Sequence, residues 1–554
     1  MMKTILLTLF NALLFFTDCF SQSNPRYLVL YKDKTGSPFS VEKPTEYLSE
    51  RAINRRNRQN IAIIPRDFPV NPAYVTSVKQ TGAKVIYSSK WFNGSIVEAS
   101  DAQLAAIKKL AFYKGIELDL PVANLTSKSP GIERTVAIKD KFETVEDLDY
   151  GSMNAQLALM DVAELHKVQV RGDGMLIAVL DNGFNQADVV GYFKQLRDEK
   201  RIIDTHDFVS RDGNVYNDGS HGLNVLSTMA AYLPGTMIGV AFKAGYALYR
   251  TENDLGESPY EEITWLLAAE RADSLGADVI NSSLGYTTFD GEFDNAAYNH
   301  TYQDLDGKTT IISRAARFAT RTGMIVTNSA GNSGNDPWRY IGAPADVDSV
   351  LTVGATRYDR SYAPLSSIGP NAAGQMKPDV SAVGSGTIVG TLAGTAASGS
   401  GTSFSAPLIA GLAAILWQAH PSLSAQQIIY VLKKSGHNAA SPNEFIGYGV
   451  PSVVKAEQII AEEFSPLGTE NELIKTILLS PNPAVNEITL SIPQTLVGKK
   501  AALRIYGANG ALHQNFSAQL NRQHIVNAGH LSSGLYLLNI QVENQERTLK
   551  FIKR

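Results

Sequence analysis

Cysteine is almost absent from this 554-residue chain; the single one, Cys19, lies near the amino terminus, so everything beyond it can form neither a disulfide nor a cysteine metal site. An excess of one charge is also missing. Lys and Arg total 50 against 54 Asp and Glu, giving a formal net charge of −4 and a pI near 6.2 with no long run of one sign, which removes the electrostatic case for a nucleic-acid partner. The apolar stretch from Ile5 to Phe16 is too short to span a bilayer. What is plentiful is core-forming material: at 44% hydrophobic residues the chain can build a large core and one or two smaller modules.

The beginning reads as an export signal. Lys3 precedes the apolar stretch, and Cys19-Phe20-Ser21 supplies a small-x-small pattern, so residues 1–21 are expected to be a signal peptide cleaved after Ser21. Asp18 stands where a lipoprotein signal carries a small residue, which argues against lipidation of Cys19.

Residues 22–125 alternate strand-like and helix-like segments and are expected to form a small α+β module. Its strands are Tyr27 to Tyr31, Ala83 to Tyr87 and Ser95 to Ala99, with a helix over Asp101 to Leu110. The basic segment Leu48 to Arg56, continuing to Arg58, reads as a helix whose Arg55 and Arg58 face solvent. Residues 126–150 turn polar and aperiodic, as a linker and processing region would. From 151 to 462 apolar runs (Leu176 to Leu180, Asp278 to Ser282, Met324 to Thr327, Val350 to Val353) alternate with helical stretches (Ser258 to Leu275, Thr309 to Arg321). That alternation predicts an α/β unit, a parallel sheet with helices on both faces. Residues 470–554 contain short alternating strands and turn signals and are expected to form a β-sandwich.

Three residue types along the α/β unit have the makings of nucleophilic catalysis. A serine hydroxyl needs a base to take its proton, and the base needs a third group to fix its tautomer. Asp181 closes the apolar run Ile177-Ala178-Val179-Leu180, the sheet edge where such folds hold reacting groups, although Asp-Asn-Gly is also ordinary turn chemistry. His221 opens a segment with helical apolar spacing through Leu223, Val225, Leu226 and Met229. Ser403 lies in Gly401-Thr402-Ser403-Phe404-Ser405-Ala406-Pro407 ahead of an apolar run to Trp417, a place where a helix N-cap serine would also sit. The Asn332 amide in Ala330-Gly331-Asn332, assisted by the Ser403 backbone N–H, could meet a developing oxyanion.

Together these segments resemble the subtilisin-like serine proteases over roughly residues 150 to 460, most specifically through Gly-Thr-Ser-x-Ser-Ala-Pro and the Asp, His, Ser order. The resemblance implies a subtilisin-like fold and a secreted endopeptidase whose catalytic residues are Asp181, His221 and Ser403, with Asn332 at the oxyanion. It also implies that Ser283, Leu284 and Gly285, with Ala330 and Gly331, border the substrate. Gly222-Leu223-Asn224 follows the histidine where the family usually has Gly-Thr-His, and Phe404 replaces the usual methionine. By position, the amino-terminal module resembles the family's prodomain, implying an inhibited precursor whose own propeptide is its intramolecular inhibitor. The carboxy-terminal segment, with Ser480-Pro481-Asn482-Pro483 and Leu531-Ser532-Ser533-Gly534-Leu535-Tyr536, is similar to type IX secretion sorting domains of Bacteroidetes. That likeness implies a partner in the secretion machinery and a secreted or cell-surface location. No cofactor is expected for catalysis; structural calcium is common in the family, and no loop spacing here assigns its ligands. The competing reading is a surface binding protein with a vestigial protease unit, which the four intact site residues disfavour.

Overall fold

A computed structural model describes residues 24–123, 148–254, 256–464, 477–507, 511–543 and 545–554. The expected signal peptide and nearly all of the expected linker lie outside the described residues.

The amino-terminal module begins with β1 (Arg26–Tyr31), followed by α1 (Glu50–Arg58), α2 (Pro72–Gln80), β2 (Lys84–Ser89), β3 (Gly94–Glu98), α3 (Asp101–Ile107) and β4 (Tyr113–Ile116). The strands form one antiparallel sheet in the order β2-β3-β1-β4. Local chemistry sets the helix starts: Ser49 accepts from the Ala52 N–H, Asn71 accepts from Ala73 ahead of Pro72, and Ser100 with Gln103 forms a reciprocal cap. One face of the sheet carries Val29, Tyr31 and Val97 against Val78, Leu104 and Ile107 of the helices.

The basic helix departs from expectation. Arg55 and Arg56 are buried, 1% and 0% exposed, because α1 lies against the α/β unit rather than in solvent. Ser49 at its start donates its backbone N–H to the Ser274 carbonyl and its hydroxyl to that of Leu275. Arg55 reaches Asp273 at 2.6 Å, Arg56 reaches the same carboxylate at 2.8 Å, and Lys90 from the loop after β2 reaches it at 2.7 Å. Arg58 is exposed, as expected, and pairs with Asp278 at 3.6 Å; Arg51 also binds that carboxylate. Helical charge spacing looks the same whether the facing surface is water or a partner carboxylate, which is why Arg55 was expected in solvent beside Arg58.

The α/β unit contains β5 (Leu176–Asp181), β6 (Ile202–Asp207), α4 (His221–Ala230), β7 (Gly245–Arg250), α5 (Pro259–Leu275), β8 (Val279–Ser282), α6 (Ile311–Arg321) and β9 (Ile325–Ser329). It continues through β10 (Leu351–Thr356), β11 (Val380–Val383), the hairpin β12 (Ser385–Gly390) and β13 (Ala396–Ser400), α7 (Thr402–Ala419) and α8 (Ala425–Lys434). Seven strands form a parallel sheet in the order β11-β10-β9-β8-β5-β7-β6, bearing out the expected architecture. β6, β7 and β11 escaped the sequence reading; Ile202-Ile203-Asp204-Thr205-His206-Asp207 is too polar to resemble a buried strand, and it occupies the sheet's edge. The order reverses at β5, and crevices for ligands open beyond the carboxyl ends of parallel strands at such a reversal. α5 shows why its boundaries were legible: Ser258 and Glu261 make a capping box, Pro259 takes the first turn and Gly276 ends it. α7 is buried nearly all round, as its unbroken apolar run predicts. Its length and composition would also suit a membrane span, but 83% of it is covered by protein.

In the carboxy-terminal unit β14 (Leu478–Ser480), β15 (Glu487–Ser491) and β18 (Gln523–Asn527) form one sheet. The second, in the order β17-β16-β19-β20, comprises β16 (Lys500–Gly507), β17 (Leu512–Gln519), β19 (Gly534–Val542) and β20 (Gln545–Lys553). Ile488, Leu490 and Val526 of the first pack against Leu503, Ile505, Leu538, Ile540 and Phe551 of the second, giving the expected sandwich its own core.

Candidate active site

Asp181 is the last residue of β5 and is fully buried. Its Oδ1 accepts from the Asn182 N–H at 2.9 Å and bonds Nδ1 of His221 at 2.7 Å. The Thr251 N–H donates to the Asp181 carbonyl at 2.9 Å, which ties the end of β5 to the segment after β7. A carboxylate facing Nδ1 selects the tautomer that carries its proton there and leaves Nε2 as the acceptor.

His221 is the first residue of α4, with a third of its side chain exposed. The start of α4 presses directly on β5. A Cβ at Gly222 would lie 2.3 Å from the Gly183 carbonyl oxygen and 2.9 Å from Cβ of Asp181, so only glycine lets the helix descend far enough for the ring to meet the carboxylate. Burial disfavours the charged ring, but the charge and hydrogen bond of Asp181 outweigh it, with Asp254 adding, and the His221 pKa is raised. Asp254 also accepts from Nδ2 of Asn182 at 2.8 Å. Neither Asp254 nor Asn182 was singled out from the sequence; a carboxylate four residues beyond a strand carries no motif.

Ser403 is the second residue of α7, whose N-cap is Gly401, so the serine is not the cap. Its N–H lies in the first turn, where no helical carbonyl is available to it. The hydroxyl donates to the Ser283 carbonyl at 3.4 Å, and the Ser403 carbonyl accepts from Oγ of Ser283 at 2.9 Å. The Phe404 ring lies 5.7 Å from that of His221, centroid to centroid. The starts of the two helices therefore meet at the carboxyl edge of the sheet.

Asn332 follows the end of β9 and is exposed. Its Oδ1 accepts from the Thr402 N–H at 2.8 Å and from Oγ1 of Thr402 at 3.0 Å, which leaves its Nδ2 donors for a ligand. Oγ1 of Thr402 in turn accepts from the Gly331 N–H at 3.2 Å. Thr402 was overlooked as a functional residue, although it stands inside the most specific motif.

The remaining candidates flank this center on neighboring strand ends. Ser283 to Gly285 continue from β8, which pairs with β9 through Ser282 and Asn328, and Nδ2 of Asn328 donates to the Leu284 carbonyl at 2.9 Å. Ser283 is buried, Leu284 half-buried and Gly285 exposed. Ala330 is fully buried, its N–H donating to the Val353 carbonyl, and Gly331 is half-buried beside it. On the other side of Asp181, Glu252, Glu257 and Glu261 each bring one carboxylate oxygen within 4.8 Å of the others. Those of Glu252 accept from the Thr251 and Tyr286 hydroxyls, those of Glu261 from the Asn253 and Ser258 N–H groups, and burial raises all three carboxyls. Hydrogen-bond donors of the chain thus reach two of the three carboxylates, Glu252 and Glu261.

Three family models match successive stretches of the chain. The Subtilase family model matches residues 172–449, half of the chain. A Bacteroidota Peptidase S8 propeptide model matches residues 26–134, and a secretion system C-terminal sorting domain model matches residues 479–554. Subtilisin DY of Bacillus licheniformis is 29% identical over 292 residues, 52% of this chain and 92% of that protein. Subtilisin E of Bacillus subtilis is 25% identical over 360 residues, 64% of this chain and 82% of that one. Among solved structures, MycP1 from the ESX-1 type VII secretion system aligns at 20% identity and a TM-score of 0.44, over 59% of this chain and 91% of that one. The chain belongs to the subtilase family of serine proteases, with a Bacteroidota propeptide domain before the protease and a type IX sorting domain after it.

Proposed function

We propose that the chain is an endopeptidase in which His221 takes the Ser403 proton, Asp181 holds His221, and Asn332 with the Ser403 N–H receives the oxyanion. The observation that carries this reading is the 2.7 Å bond from the buried Asp181 to Nδ1 of His221, which frees Nε2 as a base. On substrate binding the Ser403 hydroxyl turns from the Ser283 carbonyl to Nε2 and attacks the scissile carbonyl as its proton passes to His221. The tetrahedral oxyanion faces Nδ2 of Asn332, whose Oδ1 Thr402 already restrains. His221 then protonates the leaving amine, and water activated by the same imidazole resolves the acyl-enzyme. Ser283 to Gly285, with Ala330 and Gly331, would border an extended peptide added along the strand ends. No cofactor enters this chemistry.

The precursor reading assigns the module up to about residue 125 as the intramolecular inhibitor, with processing inside 126–150. Residues 470–554 would address the chain to the secretion machinery. Labeling with a fluorophosphonate, read by mass spectrometry, tests the site. An adduct on Ser403 that Ser403→Ala lacks is expected, with peptide hydrolysis falling by about six orders of magnitude, the loss seen when subtilisin itself loses its nucleophile. Near-normal hydrolysis by Ser403→Ala would refute the assignment.

A further inference from the structure

Phe404, beside the nucleophile, departs from the family pattern, and the structure gives its ring two neighbors. One is His221, with centroids 5.7 Å apart and planes inclined by 34°. The ring also meets Gly399 of β13, where a Cβ would come within 2.8 Å of Cε2 of Phe404, 3.3 Å of Cδ2 and 3.4 Å of Cζ. Gly399 is not among the residues with positive φ, so its backbone places no demand for glycine; the Phe404 ring does. The hairpin bearing Gly399 is also fastened to the helix bearing His221. Nδ2 of Asn224 donates to the Gly390 carbonyl at 2.6 Å, and the Gly390 N–H donates to Oγ of Ser227 at 2.7 Å. Asn224 belongs, with Leu223, to the chain's other departure from the usual pattern, so a residue from each departure meets the same hairpin.

We propose that Phe404 is a positioning residue for His221: seated on Gly399, its ring keeps the imidazole turned so that Nδ1 faces Asp181 and Nε2 faces Ser403. This inference rests on the triad reading above. The aromatic ring blocks rotation of the imidazole about its Cβ–Cγ bond, and its electron-rich face favors the imidazolium formed during acyl transfer. The charged groups acting on His221 are Asp181 from β5 and Asp254 from the segment after β7, and replacing Phe404 changes neither.

The test compares Phe404→Leu, Phe404→Tyr, Gly399→Ala and the Gly399→Ala/Phe404→Leu double variant on a soluble peptide, with near-UV circular dichroism as the folding control. The expected signature for Phe404→Leu is a kcat loss of about tenfold with KM little changed. The acid limb of its kcat/KM profile should move about half a pH unit lower as the imidazolium loses the ring. Phe404→Tyr should restore both. Gly399→Ala, which touches the ring and not the imidazole, should lower kcat alone but cost nothing further in the Phe404→Leu background. Unchanged kcat and pH profile in Phe404→Leu, a change in KM alone, or equal cost of Gly399→Ala in both backgrounds would overturn the proposal. Should Phe404→Leu fail to fold, Gly399→Ala alone decides, an unchanged kcat again overturning it. Ser403→Ala and His221→Ala run in parallel: hydrolysis surviving in them refutes the triad, whereas its loss there beside wild-type behavior of the ring variants refutes only the positioning role.

Discussion

At the scale of single residues, the assigned chemistry depends on one neutral imidazole. Because Asp181 raises the His221 pKa, the base form is lost as pH falls through a value above the ordinary 6.5, and kcat/KM should fall with it. A profile flat down to pH 5 would contradict that arrangement. Asn332→Ala should lower kcat about 10²- to 10³-fold with little change in KM, because Nδ2 meets charge that exists only in the transition state. The carboxyls of Glu252, Glu257 and Glu261 work in the opposite sense to a paired carboxylate. Their folded-state pKa values are raised, so stability present below the unfolded value is lost as pH rises toward the folded one. Glu257 is the exposed member, where solvent screens much of the repulsion, so Glu257→Gln should raise Tm only slightly at pH 8 and leave it unchanged at pH 5, measured by calorimetry.

At the scale of elements, α1 and α5 form a charge lock between the module and the protease. Burial alone would raise the Asp273 carboxyl, but Lys90, Arg56 and Arg55 together hold it well below the usual carboxylate range. The stabilization is therefore fully present above the unfolded pKa and is lost progressively as pH falls from there through the depressed folded value. Nearby, Glu270 receives the Ser89 hydroxyl and the Lys90 and Trp91 N–H groups, extending the contact with main-chain bonds. Asp273→Asn takes the shared carboxylate from buried Arg55 and Lys90 and leaves Arg56 with Asp67 as its partner. It should destabilize the module's attachment by about 3–5 kcal/mol, seen as a rise of at least a hundredfold in the inhibition constant of the separately added module. An unchanged constant would mean that the apolar contact of Leu28, Trp91 and Ile96 with the α5 side of the core, with the bonds to Glu270 and Asp278, carries the attachment without Asp273.

Which elements were legible follows the same physics. α5 announced itself through Ser258, Pro259, Glu261 and Gly276, all acting within a few residues, and β5, β8, β9 and β10 through short apolar runs. β6 was hidden because an edge strand buries little and can carry Asp204 and His206. The burial of Arg55 and Arg56 was hidden because the deciding partner, Asp273, lies more than 200 residues along the chain. The four catalytic candidates were legible because each sits in a short motif at the end of a strand or the start of a helix.

At the scale of the whole molecule, a propeptide domain, a subtilase domain and a sorting domain describe a protease that is secreted or displayed at the cell surface. The carboxy-terminal sandwich closes a core of its own, from Ile477 to Phe551. Deleting residues 465–554 should therefore leave kcat/KM of the matured enzyme on a soluble peptide within about twofold, while the enzyme no longer reaches the medium. A large loss of activity on that deletion would show that the protease depends on the sandwich.

The sequence alone determined the reaction class and the residues to suspect, because a nucleophile, base and oxyanion donor must sit at strand and helix ends that local patterns mark. It also determined the order of the modules, since composition shifts abruptly at their borders. Only the tertiary structure decided that Arg55 and Arg56 are locked on Asp273, that Thr402 restrains Asn332, and that Gly399 makes room for the ring beside His221. Those contacts join residues that are distant along the chain, and a side chain's neighbors across such a separation follow from packing, which no local pattern encodes.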